Sequence, residues 1–167
     1  MESLKYLNKK EIKHILEILK TQFGFTQELD YEFLLRTKDD RVFLINRDVR
    51  RVDDRKVRVN AIGLYFGELK KNTIRLSIEG SQIVGPHATQ NVLKIPDVDV
   101  APWIEGEDLT VESPLAGIVI ITNGRDFMGC GSIKQSIVLN QIPKIRRVNT
   151  CIDGSRMDEL NAEELEE

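Results

Sequence analysis

A succession of short β-type runs in the second half narrows the folds open to this chain. Residues 109–112, 117–122, 127–133, 136–139 and 145–148 are apolar bursts broken by Gly, Asn and Pro. None has the length of an ordinary helix, and Asn123-Gly124 is a strong hairpin signal. Many short strands joined by Gly/Asn turns argue for a small barrel. Gly129 and Gly131 alternate along one run and so share a strand face. That side-chain-free patch suits either tight packing within the barrel or the approach of another backbone, protein or nucleic acid.

The first half reads differently. Asn8 followed by Glu11 forms a capping box, and Ile12, Ile15, Leu16, Leu19 and Phe23 continue at helical spacing until Gly24 stops the helix. Tyr31, Phe33 and Leu35 alternate with polar or outward positions as a strand, residues 38–40 turn the chain, and 42–45 form a second strand. Residues 46–58 are a short helix or a loop. Strand character returns over 57–69, with Gly63 and Gly67 marking a bend or close packing. A turn at 70–72 leads to a strand over 73–76. Ser77 then opens a short helix that ends near Gly85-Pro86. The segment 96–106 is irregular, and its Trp103, the only tryptophan, is read as core.

The net charge of −3 hides an asymmetry. Residues 151–167 carry seven acids and one base, which leaves 23 bases and 20 acids in 1–150, a net of +3. The longest acid-free stretch of the second half, 127–152, holds Lys134, Lys144, Arg146 and Arg147. Arg47, Arg50, Arg51, Arg55, Lys56 and Arg58 form a second basic region, but Asp48, Asp53 and Asp54 are mixed with them, so a solvated face is the first reading. The acidic tail repels phosphate and suits solubility or a protein partner.

Several functions find no support. Neither a phosphate-cradling glycine loop nor a nucleophile elbow is present, and the GCGS string at 129–132 lies in a strand pattern rather than before a helix. Cys130 and Cys151 are too far apart for a CxxC metal site. His14 flanks the apolar stripe of the first helix and is read as structural. There is no apolar run of membrane-spanning length, and the opening residues lack the core of a signal peptide. The expectation is a cytoplasmic, non-catalytic protein without cofactor or metal.

The pieces together resemble the PUA domain, a small RNA-binding barrel. IEGSQIVGPHATQNVLKI at 78–95 is similar to that family's first helix, glycine turn and following strand, and GIVIITNGRDFMGCGSI at 117–133 to its closing hairpin. AIGLYFGELKKNTIRLS at 61–77 is similar to the linker before the PUA domain in RsmF-type rRNA methyltransferases. It is also similar to archaeal Nip-type ribosome-biogenesis factors, which pair a pre-PUA domain with a PUA domain. Motifs carry the resemblance over 61–150. Over 1–60 the helix-then-hairpin layout alone carries it. The implied fold is α+β, with an N-terminal α/β pre-PUA domain (1–72), a C-terminal PUA-like pseudo-β-barrel (73–152) and an acidic tail (153–167).

The resemblance implies RNA as the partner, either rRNA or tRNA, with ribosome-assembly or RNA-modification proteins as companions. Gly85, Pro86 and His87 form the turn at the rim. Gly85 either lets RNA come close or simply ends the helix with positive φ. Gly129 and Gly131 supply the smooth strand, with Ser132 and Lys134 beside it to bond phosphate. Lys144 and Arg146 point one way from an extended edge strand and Arg147 the other. With no acidic neighbours in sequence, they form the expected phosphate-binding edge. The alternative is a protein-interaction adaptor with little RNA binding of its own.

Overall fold

The structure, a computed structural model, is described for residues 4–51 and 63–148. Arg55, Lys56, Arg58, Cys151, the expected strand start near 57 and the acidic tail lie outside the described residues. Among the described residues the architecture is α+β, with two five-stranded sheets and three helices.

The first sheet is an antiparallel meander whose spatial order follows the chain: β1 (Leu4–Tyr6), β2 (Glu32–Arg36), β3 (Arg41–Ile45), β4 (Leu64–Leu69) and β5 (Ile74–Leu76). Helix α1 (Lys9–Phe23) runs between β1 and β2 in sequence. Its capping box forms as expected. Asn8 Oδ1 accepts from the Lys10 and Glu11 N–H groups at 3.0 Å, and Glu11 accepts from the Asn8 N–H at 2.8 Å. Gly24 takes φ 66° and closes the helix. Ile15, Ile18, Leu19 and Phe23 are buried against Phe33, Val42, Leu44 and Phe66 of the sheet. Ile12 and Leu16, expected in the stripe, sit at its half-buried margin, while Ile18 is inside.

The second sheet has the order β6-β8-β9-β10-β7, from β6 (Val92–Lys94), β7 (Leu109–Thr110), β8 (Gly117–Thr122), β9 (Phe127–Lys134) and β10 (Ile137–Asn140). All its pairs are antiparallel except β6 with β8. It is buried on both faces. Ile120 and Cys130 join the α1 core, whereas Val119, Ile121, Ile133 and Val138 surround Trp103 in a second core. The first core therefore takes residues from both sheets.

Helix α2 (Ile78–Val84) links the sheets. Ser77 Oγ caps it by accepting from the Gly80 N–H at 2.9 Å, and donates to the Tyr65 carbonyl at 2.5 Å. The buried Ser81 hydroxyl donates to Ile78 O at 2.6 Å and accepts from the Gly129 N–H at 2.9 Å. Side chains and backbone at 89–91 close the other end of the joint. The Thr89 N–H, Gln90 Nε2 and Asn91 Nδ2 donate to the last carbonyls of α1, those of Phe23, Thr21 and Gln22.

Gln22 acts as a surrogate strand. Its amide donates to Ile74 O and accepts from the Ile74 N–H, both at 2.9 Å, on the edge of β5. Truncating it leaves two part-buried backbone groups without partners. Gln22→Ala is expected to cost about 1–3 kcal/mol, read as a lower urea midpoint. An unchanged midpoint would show that the pair is dispensable.

Three local expectations fail. The 96–106 segment is not irregular: a 3-10 turn, Asp97–Asp99, leads into α3 (Val100–Glu105), which Gly106 ends at φ 98°. Pro102 is tolerated because it falls in the first turn, where its missing N–H has no helical partner to lose. Residues 145–148 are not a strand. Lys144–Arg146 form a 3-10 turn after Pro143, and β7 already occupies the edge of β10. Strand β2 does not bury alternate residues only, since Phe33 and Leu34 are both 1% exposed. Strand β1 carries no sequence signal strong enough to have been expected.

Candidate nucleic-acid interface

The rim turn is a 3-10 turn, Gly85–His87, directly after α2. Gly85 does not take positive φ (−54°), and it offers no open approach. It is buried, and a Cβ there would overlap the Phe127 ring. Glycine is needed because β9 passes so close to the helix end. Pro86 and His87 are exposed, and the His87 ring meets the edge of Phe25 with centroids 6.4 Å apart.

The glycine pair of β9 serves packing. Gly129 has φ +85°, a conformation that side chains resist. It donates its N–H to Ser81. A Cβ on Gly131 would overlap Val138 and crowd Trp103. Both glycines are buried, so they form no smooth outer patch. Ser132 is half-buried between its cross-strand partners Ile118 and Leu139. Lys134 is exposed at the far end of the strand, opposite Ile137.

The C-terminal cations are less free than their sequence neighbours suggested. Arg146 pairs with Glu79, an acid from the first turn of α2 that is 67 residues away. Arg147 lies over Gly106 and donates its Nε–H to Ile142 O at 3.2 Å, so it helps hold the turn. Lys144 is exposed and makes no ion pair among the described residues.

These residues do not converge on one point. Arg146 sits by the first turn of α2 and His87 beyond its last, about 10 Å apart along the axis at 1.5 Å per residue. Lys134 is at one end of β10 and Lys144 follows the other. Lys144 and Arg146 share one 3-10 turn, and the rest are dispersed.

Sequence reading missed a second array. Arg36, Arg41 and Arg75 stand on cross-strand positions of the first sheet, each in a different strand, so no linear motif announces them.

Burial pushes the Cys130 thiol up to about 12, which keeps it protonated. Among the described residues no group of three His, Cys, Asp or Glu could hold a metal ion. A cleft beside the rim is lined by Ala88, Thr89, Gln90, Asn91, Val92 and Leu115, none of them titratable. No described helix is long and apolar enough to cross a membrane.

Residues 4–78 match the family model for the NIP7/UPF0113, pre-PUA domain. The match covers α1, all five strands of the first sheet and the first residue of α2. It falls largely on the half where only the helix-then-hairpin layout supported the resemblance. No curated protein matches the chain.

Proposed function

We propose that this chain is a Nip-type ribosome-biogenesis factor that binds RNA and catalyses no reaction. The observation that carries the reading is the pre-PUA match over 4–78. The fold agrees with it, because the matched residues complete the first sheet and a curled, mixed sheet follows, the order expected of a pre-PUA unit before a PUA-like one. In this reading the division lies at Ser77, after β5, rather than near residue 72. Residues 153–167 remain an acidic tail. Structured rRNA is the preferred ligand, with tRNA the alternative, in the cytoplasm and beside ribosome-assembly proteins.

The contact surface on the second half centres on Lys144 and Arg146. Lys134, Ser132, Pro86 and His87 serve as outlying contacts. Arg147, Gly85, Gly129 and Gly131 support that surface by packing. Arg146 must exchange Glu79 for a phosphate, which is feasible because exposed ion pairs contribute little.

A gel-shift titration with rRNA fragments tests this. Affinity is expected to fall steeply between about 50 and 200 mM salt. The Lys144→Ala/Arg146→Ala variant should flatten the salt slope by about 2. Arg147 is left intact so that the fold is not disturbed. Binding that ignores both salt and the variant would sink the reading. It would favour a protein-interaction adaptor, for which the existing engagement of Arg146 and Arg147 speaks.

A further inference from the structure

We infer that the exposed face of α1 is a second RNA-binding surface, a row of lysines that grips the backbone of double-helical RNA. This rests on the RNA-binding reading above and names the form of RNA taken. Lys9, Lys10, Lys13, His14, Glu17 and Lys20 are all exposed, while Ile15, Ile18, Leu19 and Phe23 are buried against the first sheet. Lys9, Lys13 and Lys20 fall within about 40° of arc at 3.6 residues per turn. They are spaced by about 6 and 10.5 Å along the axis, so one line of cations about 16.5 Å long runs down the helix.

The charge of the row is largely unpaired. Residues 4–23 hold five lysines against two glutamates, a net of +3. Lys5 holds Glu11, and Glu17 stands among the other lysines. Lys9, Lys10, Lys13 and Lys20 make no ion pair among the described residues. Beyond Gly24 the chain adds Glu28 and Asp30, the latter paired with Arg47. Folding does not account for this arrangement. The N-terminal end of a helix carries positive partial charge and favours acids. Lys9 and Lys10 are the first two residues of α1, directly after the Asn8 cap. Lys9 and Lys13 are four apart, where like charges repel. Glu11 and Lys20 are placed as the dipole favours, and Lys9 and Lys10 against it. A row that weakens its own helix points to a ligand that supplies the missing negative charge.

Side-chain chemistry selects the occupant. The exposed face of α1 has no Phe, Tyr or Trp, so it lacks the stacking platform of a single-strand binder. Lysine meets phosphate as a point charge, and phosphate contacts position without reading sequence. Lysine is also depleted from protein-binding faces. Aligned lysines on a straight helix suit the continuous phosphate backbone of a duplex, which is recognised by shape. The surface continues toward the rim turn. The Thr89 N–H and Gln90 Nε2 donate to Phe23 O and Thr21 O at 2.9 and 2.6 Å, so the rim abuts the end of α1 that carries Lys20. No acid occurs from Gly80 to Pro96, and Pro86, His87, Thr89 and Gln90 are exposed there.

The test is fluorescence anisotropy of the full chain with a labelled RNA duplex of about 16 base pairs, the length one double-strand-reading domain spans. Lys13→Gln should weaken binding about fivefold and lower the salt slope by about 1, the contribution of one phosphate. Lys9→Glu should weaken binding further and yet raise the urea midpoint, because it places an acid in the first turn and pairs it with Lys13. Opposite signs for binding and stability separate a ligand contact from a structural residue. A midpoint that falls together with binding would overturn the proposal. A single strand of the same length should bind more weakly and respond less to both variants; an equal response overturns the duplex assignment. If Lys144→Ala/Arg146→Ala weakens duplex binding while Lys13→Gln and Lys9→Glu do not, the α1 surface is wrong and the first surface stands. A face that instead captures a protein gives that same result. If the unaltered chain binds no RNA at all, both proposals fall.

Discussion

Gly80→Ala should destabilise the protein by about 3 kcal/mol, the upper part of the range for overpacking a well-filled core. The sign is the informative part. In an exposed helix the same change stabilises by about 1 kcal/mol. Gly80 is in the first turn of α2, and a Cβ there would overlap the Phe66 carbonyl oxygen and crowd the Phe66 ring. The oxygen belongs to the backbone of β4 and is itself engaged, accepting from the Ser77 N–H at 2.9 Å. It cannot rotate away as a side-chain tip would. Relief requires moving α2, and that pulls on the Ser77 cap and on the Ser81–Gly129 bond to β9. One methyl group therefore loads both sheets at once. Urea denaturation of Gly80→Ala beside Ser81→Ala separates the effects, since Ser81→Ala removes only the bond and should cost less. A Gly80→Ala variant as stable as the parent would show that the helix has room to shift.

What the sequence made legible follows from how local the determinants are. The capping box at Asn8 and Glu11, the Gly24 stop and the β2–β3 hairpin depend on neighbours within a few residues, and all form as expected. The β8–β9 hairpin forms too, but its loop spans 123–126, where Asn123 Oδ1 accepts from both Arg125 and Asp126. The tightest turn of the second half, at Gln135 and Ser136 with φ 48° and 65°, has no glycine to announce it. Long-range facts were not legible. Arg146 looked unpaired because its partner, Glu79, is 67 residues away, and Gly85 looked like an open turn because Phe127 fills its space from another element. The Arg36–Arg41–Arg75 row exists only once four strands are in register. Glycine in particular misleads: the same residue suits an exposed approach and a crowded core, and only neighbouring atoms decide.

Trp103→Ala is expected to cost about 3–5 kcal/mol, the usual penalty for emptying a large buried aromatic site. Trp103 is fully buried on α3, at the centre of the core formed by Leu93, Val119, Ile121, Ile133 and Val138. Its Nε1–H donates to Met128 O at 2.9 Å. Trp103→Phe keeps most of the volume and loses that bond, so it should fall well short of the alanine penalty. The more consequential expectation concerns cooperativity. Strand β8 sends Val119 and Ile121 into the Trp103 core and Ile120 into the α1 core, and β9 adds Cys130 to the latter. Loosening the Trp103 core therefore withdraws a wall from the α1 core as well. Far-ultraviolet circular dichroism, which reports chiefly α1, and amide hydrogen exchange along β8 and β9, which reports the second sheet, should show both halves opening together in Trp103→Ala at a lowered midpoint. Two separated transitions, with α1 surviving the loss of the second sheet, would show that the halves fold independently despite their shared core.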